Sequence, residues 1–526
     1  MTKVRKLALV GLPGSGKSAV APVLAERLGW ECIDLDVEVA ASAGRPVSTI
    51  IAEDGEAVFR ELELIALVSA LRRPGEAVIA CGGGLMAQDE ARRRLLDGAF
   101  VVLLDAPDDV LLSRLHNGQR RPLLGDDPRS ALPQLRALRT RAYGAAHLHV
   151  AAHPPVAQVA DGILASVTHA VRVGAPSRVY SVEIRAGALD HIAEHVPADA
   201  TTVALIADRS VAGFADRVVA RLEGGGLKVA RLDVDGGETL KTWESAGDLL
   251  AWLAEAGIRR DGCVFALGGG TVGDVAGFVA ATYLRGVAWV NVPTTLLAMV
   301  DSAVGGKVGV NLAHGKNLAG AFWQPRAVVC DPALVADLPD RSFRSAFGEI
   351  VKCAMISDSG LVQLLDRDLP RLLQRDPDAL SQVVARCAAL KADVVAADER
   401  DTGVRAILNY GHTVGHALEA ASGFSDQLTH GEAVAVGMRV AGRLSRRLLR
   451  CPRSDIEWQD ATLERCGLGA PPAVDRGALL EALRHDKKAS STGIGWVLLA
   501  RRGDPRFGQL VPEADLESTL SEVLAG

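Results

Sequence analysis

The segment KLALVGLPGSGKS, from Lys6 to Ser18, places an apolar run directly before a glycine-rich loop that ends in lysine and serine. The loop matches G-x-x-x-x-G-K-[ST], and an amphipathic helical pattern, AVAPVLAERLGW, follows it. Further apolar runs, AVIACGGG and FVVLLDA, alternate with helical patterns through the first third of the chain. This alternation predicts an α/β fold in which a parallel sheet carries helices on both faces.

Size and composition bound the class of protein. A chain of 526 residues exceeds what one hydrophobic core usually organises, so two to four domains are expected. The net charge of −6 gives no electrostatic reason to expect nucleic acid or an anionic membrane as partner. Eighteen consecutive apolar residues occur nowhere, and the eight cysteines form no CxxC pair. We therefore expect a soluble protein with reduced thiols, located in the cytoplasm.

The pattern changes twice along the chain. Gly174 and Pro176 interrupt it before α/β alternation restarts with runs such as TVALIADRSV and GCVFALGGG. After residue 335 long helical patterns dominate, for example GEAVAVGMRVAGRLSRRLLR. The predicted organisation is a first α/β domain over 1–170, a linker over 171–177, a second α/β domain over 178–335 and a mainly helical domain over 336–526.

The first glycine-rich loop predicts nucleotide binding. Backbone N–H groups of Gly11, Gly14 and Gly16 can close around phosphates at the start of a helix. Lys17 is expected to reach the β- and γ-phosphates, and Ser18 is expected to hold Mg²⁺. A chance glycine-rich turn is the structural alternative.

Acidic and basic residues after this loop indicate what is phosphorylated. Asp34 and Asp36 lie two apart in CIDLDVEV, which reads as the end of a strand, so their side chains are expected to point the same way. One could help hold Mg²⁺ while the other accepts hydrogen bonds from a substrate hydroxyl. Arg60, Arg121 and Arg141, together with the turn Gly82 to Gly84, suggest capture of a carboxylate.

Residues 3–168 resemble shikimate kinase in the P-loop, D-x-D, G-E-x-x-F-R-x-x-E, G-G-G, R-P-L-L and a later arginine. The family's usual R-x-P-L-Y reads RAYGA from Arg141. The resemblance implies transfer of phosphate from ATP with Mg²⁺ to shikimate. By resemblance, Asp34 lies near Mg²⁺, Arg114 near the adenine, Arg121 in a lid, and shikimate is held by Asp36, Arg60, Gly83 and Arg141. The alternatives are another small P-loop kinase acting on a sugar acid and, with a poorer fit, a nucleoside monophosphate kinase.

A second set of motifs lies in the central part of the chain. Gly268 to Gly273 read G-x-G-x-x-G after a strand-like run, which favours nucleotide binding, although a tight structural turn is the alternative. Asp208 ends another strand-like run, where a ribose-binding acid belongs. The stretch from 291 to 320 is rich in glycine and lysine, which favours an anionic ligand over an exposed loop. Polar candidates in this part of the chain are Glu238, Lys241, Thr294, Thr295, Asp301, Lys307, Lys316 and Asn317.

Three of the twelve histidines fall between Leu408 and Met438. His412 and His416 are four apart and share one face of a predicted helix, and His430 begins a second one. Glu349 and Lys352 come from an earlier helix. One carboxylate and two histidines with an open fourth position are typical of catalytic Zn²⁺. A hydrogen-bonded core residue is the alternative for any one of these histidines.

Residues 178–500 resemble 3-dehydroquinate synthase in G-G-G-x-x-G-D, Y-L-R-G, G-E-I-x-K, L-N-x-G-H-T-x-G-H and H-G-E-A-V-x-x-G-M. The resemblance implies a Rossmann-like NAD domain followed by a helical metal domain, with Zn²⁺ or Co²⁺ held by Glu349, His412 and His430. The residues it places around NAD are Asp208, Glu238, Lys241, Gly269, Gly270, Asp274, Thr294, Thr295 and Lys316. Those it assigns to the substrate are Asp301, Lys307, Asn317, Lys352, Lys391, Arg405, Asn409, His416 and one of Lys487 and Lys488.

The reaction implied is conversion of 3-deoxy-D-arabino-heptulosonate 7-phosphate to 3-dehydroquinate and phosphate, with NAD regenerated in each turnover. The residues expected to be catalytic are Lys17, Asp36 and Arg121 in the first domain and Lys307, Lys352, Arg405 and His416 in the second. A metal-dependent polyol dehydrogenase is the main alternative, but it would not need Lys307, Lys316, Lys352 and Arg405. A non-catalytic scaffold is a further alternative, against which the intact motifs argue. We also expect a homodimer formed through the synthase half.

Overall fold

The computed structural model describes residues 6–115, 127–143, 146, 148–167, 170–197, 199–357, 359–422, 428–469, 476–489 and 495–524. Arg121 lies outside these residues. The side chains of Arg141, Lys487 and Lys488 are likewise outside the description.

The first sheet has five parallel strands in the order β2-β3-β1-β4-β5. Its strands are β1 Lys6–Val10, β2 Glu31–Asp34, β3 Ala77–Ala80, β4 Phe100–Asp105 and β5 Leu148–Ala151. Its helices are α1 Lys17–Leu28, α2 Leu35–Ala43, α3 Val47–Asp54, α4 Glu56–Arg72, α5 Asp89–Gly98, α6 Asp108–Leu115, α7 Pro128–Tyr143 and α8 Val156–Val167. Strand β1 is buried along its whole length, as a central parallel strand must be. The predicted α/β class of this part is confirmed.

The second sheet has seven strands in the order β6-β7-β14-β11-β10-β8-β9, and only the β6–β7 pair is antiparallel. The strands of this sheet are β6 Val171–Ala175, β7 Arg178–Ile184, β8 Thr202–Asp208, β9 Lys228–Val234, β10 Cys263–Gly268, β11 Ala288–Pro293 and β14 Ala327–Cys330. Between β11 and β14 the chain also forms a separate pair of strands, β12 Lys307–Leu312 and β13 Gly315–Phe322. The helices around them are α9 Ala212–Gly224, α10 Trp243–Glu255, α11 Gly270–Thr282 and α12 Leu296–Val300.

Two features of this sheet differ from the sequence-based expectation. The segment predicted as a linker, 171–177, holds β6 and the turn into β7, because the apolar residues Val173 and Ala175 are buried by pairing with β7 and by the later helix α15, Pro377–Ala397. The glycine-rich stretch that could have been an exposed loop forms α12 and the antiparallel hairpin β12–β13.

The last third is mainly helical, as predicted, with α13 Asp340–Ile356, α14 Ser359–Leu373, α15 Pro377–Ala397, α16 His412–Ala421, α17 His430–Leu449, α18 Arg453–Arg465, α19 Arg476–Ala489 and α20 Glu513–Leu524. A hairpin of β15 Trp496–Arg501 and β16 Asp504–Gln509 was not predicted. One hydrophobic core joins the second sheet to these helices, and it includes Phe265 and Val292 as well as Phe347 and Val434. The boundary expected near 335 therefore separates two kinds of secondary structure that share one core.

Glycines set the distance between three of these helices. A Cβ atom on Gly431 of α17 would lie 1.7 Å from the carbonyl oxygen of Ser345 on α13. A Cβ atom on Gly437 would lie 1.8 Å from the carbonyl oxygen of Gly411, which precedes α16. Real Cβ atoms do not approach oxygen so closely, so only glycine permits these backbones to touch. The three helices are thereby held closer than side chains would normally allow.

Within the described residues, no helix has both the length and the apolar content to cross a bilayer.

Replacing Gly431 by alanine should destabilise the second sheet and its helices by about 2–4 kcal/mol, because the new methyl group forces α17 away from α13. Gly247 is the matched control, since it lies exposed in α10 with no atom within 4 Å of an added Cβ. Gly247→Ala should stabilise the protein by roughly 0.5–1 kcal/mol. Urea unfolding followed by tryptophan fluorescence measures both variants, and equal stabilities would contradict the close-contact argument.

Candidate active sites

The P-loop has the structural context that its motif requires, since it joins the buried strand β1 to the start of α1. Lys17 folds back over the loop, and its Nζ donates to the carbonyl oxygens of Gly11 and Leu12 at 3.0 Å each. Ser18 is exposed in the first turn of α1. Arg114 of α6 donates from Nη1 to the carbonyl oxygen of Gly14 at 3.4 Å, so it lies against the same loop. A phosphate chain placed here would meet the loop N–H groups and both cations.

The two aspartates at the end of β2 are not arranged as predicted. The strand ends at Asp34, and Asp36 already belongs to α2. Asp34 caps that helix, because its Oδ1 accepts a hydrogen bond of 3.0 Å from the backbone N–H of Asp36. The expectation that both side chains follow one strand is therefore wrong, although both carboxylates remain at the end of β2.

A polar cluster surrounds the turn Gly82 to Gly84. Arg60 Nη1 donates to Glu63 at 2.7 Å, and Glu63 is fully buried. Burial raises the pKa of the Glu63 carboxyl, and Arg60 opposes that rise only in part. A Cβ atom on Gly82 would lie 2.0 Å from Glu63 Oε1 and 3.4 Å from Asp36 Oδ1. A side chain on Gly82 would therefore displace Glu63, and the turn that includes Gly83 lies beside Asp36 and Arg60.

The arginine that the structure places beside Gly83 is Arg139. Its Nη1 donates to the Gly83 carbonyl oxygen at 2.7 Å, and the Tyr143 hydroxyl donates to the same atom at 2.5 Å. Arg139 is 6% exposed, and Tyr143 follows it by four residues on the same face of α7. The pattern R-x-P-L-Y thus starts at Arg139, where its first and last residues match. The side chain of Arg141, the residue chosen from the sequence, lies outside the described residues, so that choice stays a prediction.

The second site is built where α13, α16 and α17 meet. One ligand atom each from Glu349, His412 and His430 lies within 4.8 Å of the others. Glu349 Oε1 is 3.3 Å from His412 Nε2 and 3.2 Å from His430 Nε2. Each of the three residues is the sequence neighbour of a glycine at a helix contact, namely Gly348, Gly411 and Gly431. The helix crossings therefore place the three donors around one point, as predicted.

Neighbouring groups orient these donors. The Nδ1 atom of His412 lies 3.3 Å from the carbonyl oxygen of Tyr410, which leaves Nε2 facing Glu349. The Nδ1 atom of His430 lies 3.5 Å from Glu419, an acidic residue that sequence reasoning did not select. A histidine donating from one nitrogen and coordinating through the other is the usual arrangement at metal sites.

The charges of the cluster suit a divalent cation. Burial and the nearby Lys352 lower the pKa of His412 to about 3, so this imidazole is neutral. Burial alone would lower the pKa of His430, but hydrogen bonds to Glu349 and Glu419 raise it to about 10. The carboxylates thus hold one proton at His430, and a cation bound there would replace that proton. One carboxylate and two imidazoles fit Zn²⁺ or Co²⁺ with a further coordination position open.

Two buried lysines connect the cluster to Asp301. Lys352 forms an ion pair with Glu349, and its Nζ lies 4.0 Å from Asp301 Oδ1. Lys391 donates from Nζ to Asp301 Oδ1 at 2.8 Å and to its carbonyl oxygen at 2.6 Å. Burial would raise the pKa of the Asp301 carboxyl, but Lys391 holds it below its usual value. Predicted substrate residues and predicted metal ligands thus form one continuous network.

A cavity of about 570 Å³ adjoins this network, and its walls include Asp274, Asp301, Lys307, Asn317, Lys391 and Arg405. Five of the predicted substrate residues therefore line one space. Lys307, which is half exposed, pairs with Asp401. Asp401 was not selected from the sequence.

Most of the residues predicted around a dinucleotide flank the glycine turn after β10. Asp274 accepts a hydrogen bond of 2.5 Å from Lys241. Asp208 ends β8, and Thr294 donates from its backbone to Gly268 at 2.9 Å. A Cβ atom on Gly269 would be 3.4 Å from Thr295, and one on Gly270 would be 2.8 Å from Ser302. This edge of the sheet is where parallel α/β folds bind ligands.

Other predicted residues lie at the border of the site. Glu238 accepts from Asn311 at 2.7 Å and lies 3.7 Å from Lys316. His416 is exposed, with its ring 5.2 Å from that of His412. Asn409 is exposed just before α16. The side chain of Lys487 is outside the described residues.

Comparison with known proteins separates the chain into the same two parts. The family model described as shikimate kinase matches residues 13–168. The models described as 3-dehydroquinate synthase N-terminal and C-terminal match residues 231–345 and 346–489.

Individual proteins agree with the family models. The 3-dehydroquinate synthase of Citrifermentans bemidjiense is 43% identical over 332 residues, which cover 62% of this chain and 91% of that protein. The 3-dehydroquinate synthase of Desulforamulus reducens is 41% identical over 359 residues, which cover 67% of this chain and 99% of that protein. A crystal structure of 2-deoxy-scyllo-inosose synthase complexed with carbaglucose-6-phosphate, NAD⁺ and Co²⁺ is 28% identical, with a TM-score of 0.61. It covers 68% of this chain and 99% of that one.

Replacing His412 by alanine should weaken Zn²⁺ binding about 100-fold or more, because one of three converging donors is lost. His416→Ala is the matched control, since His416 is on the same helix but outside the three-residue cluster, and its affinity should change less than about threefold. Affinity should rise with pH in the wild type, because His430 must release a proton to coordinate. Calorimetric titration of the full chain measures each value. Equal losses of Zn²⁺ affinity in His412→Ala and His416→Ala would contradict a metal site formed by Glu349, His412 and His430.

Proposed function

Since this chain belongs to the 3-dehydroquinate synthase family and carries a shikimate kinase domain over residues 13–168, we propose how its two separate sites divide the chemistry. The synthase site converts 3-deoxy-D-arabino-heptulosonate 7-phosphate to 3-dehydroquinate and phosphate. The kinase site transfers phosphate from ATP to shikimate. The observation that carries the synthase assignment is the meeting of Glu349, His412 and His430 beside a cavity lined by cations.

The cations distinguish this site from that of a polyol dehydrogenase. Lys391 is anchored to Asp301, and Arg405 is 4% exposed at the cavity wall. Within the described part of the chain, the Arg405 guanidinium pairs with no carboxylate, and burial lowers its pKa. Such a charge is best compensated by an anionic group of a ligand. A substrate with a carboxylate and a phosphate supplies two such groups, whereas a simple alcohol supplies none.

The cofactors proposed are NAD and one divalent cation, Zn²⁺ or Co²⁺. The related 2-deoxy-scyllo-inosose synthase has been seen with NAD⁺ and Co²⁺, and this chain presents a matching donor set. When bound, the cation lowers the pKa of a substrate hydroxyl and NAD accepts and later returns its hydride. Asp208, Lys241 with Asp274, and the turn at Gly269 would hold the dinucleotide.

The residues of the chain position the substrate and move protons. Lys352, held by Glu349 and near Asp301, can donate a hydrogen bond to a substrate oxygen next to the metal ligands. Lys307 and Arg405 would hold anionic groups at the cavity wall. His416, exposed beside His412, can pass a proton between the site and solvent. Lys307 and Arg405 line the cavity, and Lys352 lies buried beside Asp301 at its wall.

The kinase site is proposed to bind the carboxylate of shikimate with Arg60 and Arg139. Both guanidinium groups lie by the turn at Gly83, and Asp36 lies close enough to accept a hydrogen bond from a ring hydroxyl. Lys17 would neutralise charge on the transferred phosphate, and Ser18 with Asp34 would hold Mg²⁺. Arg121, outside the described residues, remains proposed as a lid residue.

Two broader expectations remain proposals. Eight free cysteines support a reducing compartment such as the cytoplasm. Homodimer formation through the synthase half is proposed from the sequence alone.

Inactivating one site should leave the other intact. His412→Ala should reduce phosphate release from 3-deoxy-D-arabino-heptulosonate 7-phosphate by roughly 1,000-fold or more, because the metal is lost. The same variant should keep shikimate-dependent ADP formation within about twofold. Lys17→Ala should strongly reduce shikimate-dependent ADP formation and leave phosphate release from 3-deoxy-D-arabino-heptulosonate 7-phosphate within about twofold. Parallel assays of both reactions test this, and loss of both activities in one folded variant would contradict two separate sites.

Arg139→Ala should raise the KM for shikimate about tenfold or more, because a buried guanidinium beside Gly83 is removed. Arg136 is the matched control on the same helix, where it bonds Asp105 and Asp108 away from this turn, and Arg136→Ala should leave that KM within about twofold. Arg141→Ala is measured alongside. A larger rise of the KM for shikimate in Arg141→Ala than in Arg139→Ala would support Arg141, the residue chosen from the sequence, as the substrate-binding arginine.

A further inference from the structure

Arg405 reaches the substrate cavity from the loop that follows α15, and its position is set by two backbone carbonyl groups. Its Nη1 donates to the carbonyl oxygen of Glu399 at 2.7 Å, and its Nη2 donates to that of Gly305 at 3.2 Å. Both acceptors are neutral, so they orient the guanidinium and leave its charge available to a ligand. The location of the cation at the cavity wall thus depends on what holds these two carbonyl groups.

The side chain of Glu399 is buried in a fixed set of hydrogen bonds. Its carboxylate accepts from the backbone N–H of Ser177 at 3.0 Å, from the Ser177 hydroxyl, and from Gln324 Nε2 at 2.9 Å. Glu399 is 8% exposed, and burial would raise the pKa of its carboxyl. The bonds from Ser177 and Gln324 outweigh burial and lower that pKa, so the group is a buried carboxylate that requires its donors.

One of these donors, Gln324, reaches both supports of Arg405. Gln324 Nε2 lies 3.4 Å from the Gly305 carbonyl oxygen as well as contacting Glu399, and the Tyr180 hydroxyl accepts from the Gly305 N–H at 3.1 Å. A Cβ atom on Gly305 would lie 2.4 Å from Arg405 Nη2, so this contact leaves no spare room. The carboxylate and the carbonyl of Glu399 belong to one residue, so the hydrogen bonds that fix the carboxylate also restrain the carbonyl that holds Arg405.

We propose that Glu399 is a positioning residue for Arg405, anchored by Ser177 in the turn between β6 and β7. The inference rests on the proposed synthase function, because it assumes that Arg405 binds an anionic group of the substrate. Glu399 itself is not among the residues that line the cavity, so it acts through Arg405 and not by touching the ligand. The hairpin that begins at Val171, four residues after the end of α8 in the kinase domain, is then part of the support of the synthase site.

The test measures phosphate release from 3-deoxy-D-arabino-heptulosonate 7-phosphate by the full chain with NAD⁺ and Zn²⁺. Glu399→Ala should raise KM about tenfold or more and change kcat less than about threefold, because binding of a ground-state anion is weakened. Glu399→Gln keeps an acceptor for Ser177 and should raise KM only about threefold. Ser177→Ala, which keeps the backbone donor, gives a milder variant with a rise of about two- to fivefold.

Glu183→Gln is the matched control. Glu183 lies in β7 and is 3% exposed. Its carboxylate is hydrogen-bonded to His195 at 2.7 Å and to Arg185 at 2.6 Å, and neither contact involves Arg405. This variant should lower the thermal stability and leave KM unchanged. A KM that rises equally in Glu183→Gln, or stays unchanged in a folded Glu399→Ala protein, would overturn the positioning role.

A second readout does not depend on turnover. Binding of inorganic phosphate, titrated calorimetrically with ADP and Mg²⁺ present to occupy the P-loop, should weaken about tenfold in Glu399→Ala and stay unchanged in Glu183→Gln. Absence of phosphate release by the wild type would refute the proposed function, and the phosphate titration would still decide the role of Glu399. Equal phosphate affinity in the wild type and Glu399→Ala would contradict the positioning role of Glu399.

Discussion

The synthase half depends on backbone contact between three helices. Glycines at 348, 411, 415, 431 and 437 let α13, α16 and α17 approach until backbone atoms touch. Glu349, His412 and His430 each sit next to one of these glycines, so the helix contact and the position of a donor atom are fixed by the same few bonds. A donor set on rigid helices is held more accurately than one on loops. The metal cluster is in this sense a consequence of helix packing.

Charge accounts for how the rest of the site is arranged around this cluster. Lys352 and Lys391 lie buried against Glu349 and Asp301, and Arg405 stands at the cavity wall on two carbonyl groups. Buried cations are retained where a partner compensates them. For the lysines that partner is part of the chain, whereas for Arg405 the best partner is an anionic ligand. The cavity therefore favours a phosphorylated acid over a neutral polyol.

The sequence predicted the features that depend on local chemistry and regular spacing. The P-loop and the histidines at 412, 416 and 430 could be placed on their elements because a motif or a helical period fixes them. Features that depend on contacts between distant segments could not be predicted from the sequence. Strand β6 is stabilised by α15, more than 200 residues later, and nothing in its own residues shows that packing.

Side-chain positions that the sequence did not show have similar physical reasons. In CIDLDVEV the apolar alternation favours a strand, but Asp34 caps a helix that starts at Leu35, and the cap decides the structure. Arg139 contacts Gly83, which lies in the turn after β3, so the face of α7 that meets this turn is visible only after folding. Glu399 and Ser177 are likewise ordinary loop residues in the sequence, and only their hydrogen bonds connect them to Arg405.

The synthase site depends on one divalent cation that Glu349, His412 and His430 bind together. Anomalous scattering at the zinc edge from crystals of the full chain with Zn²⁺ measures this directly. One strong peak is expected about 2.0–2.2 Å from a Glu349 oxygen and from Nε2 of both histidines. A peak bound by other residues, or one that leaves any of these three side chains uncoordinated, would contradict it.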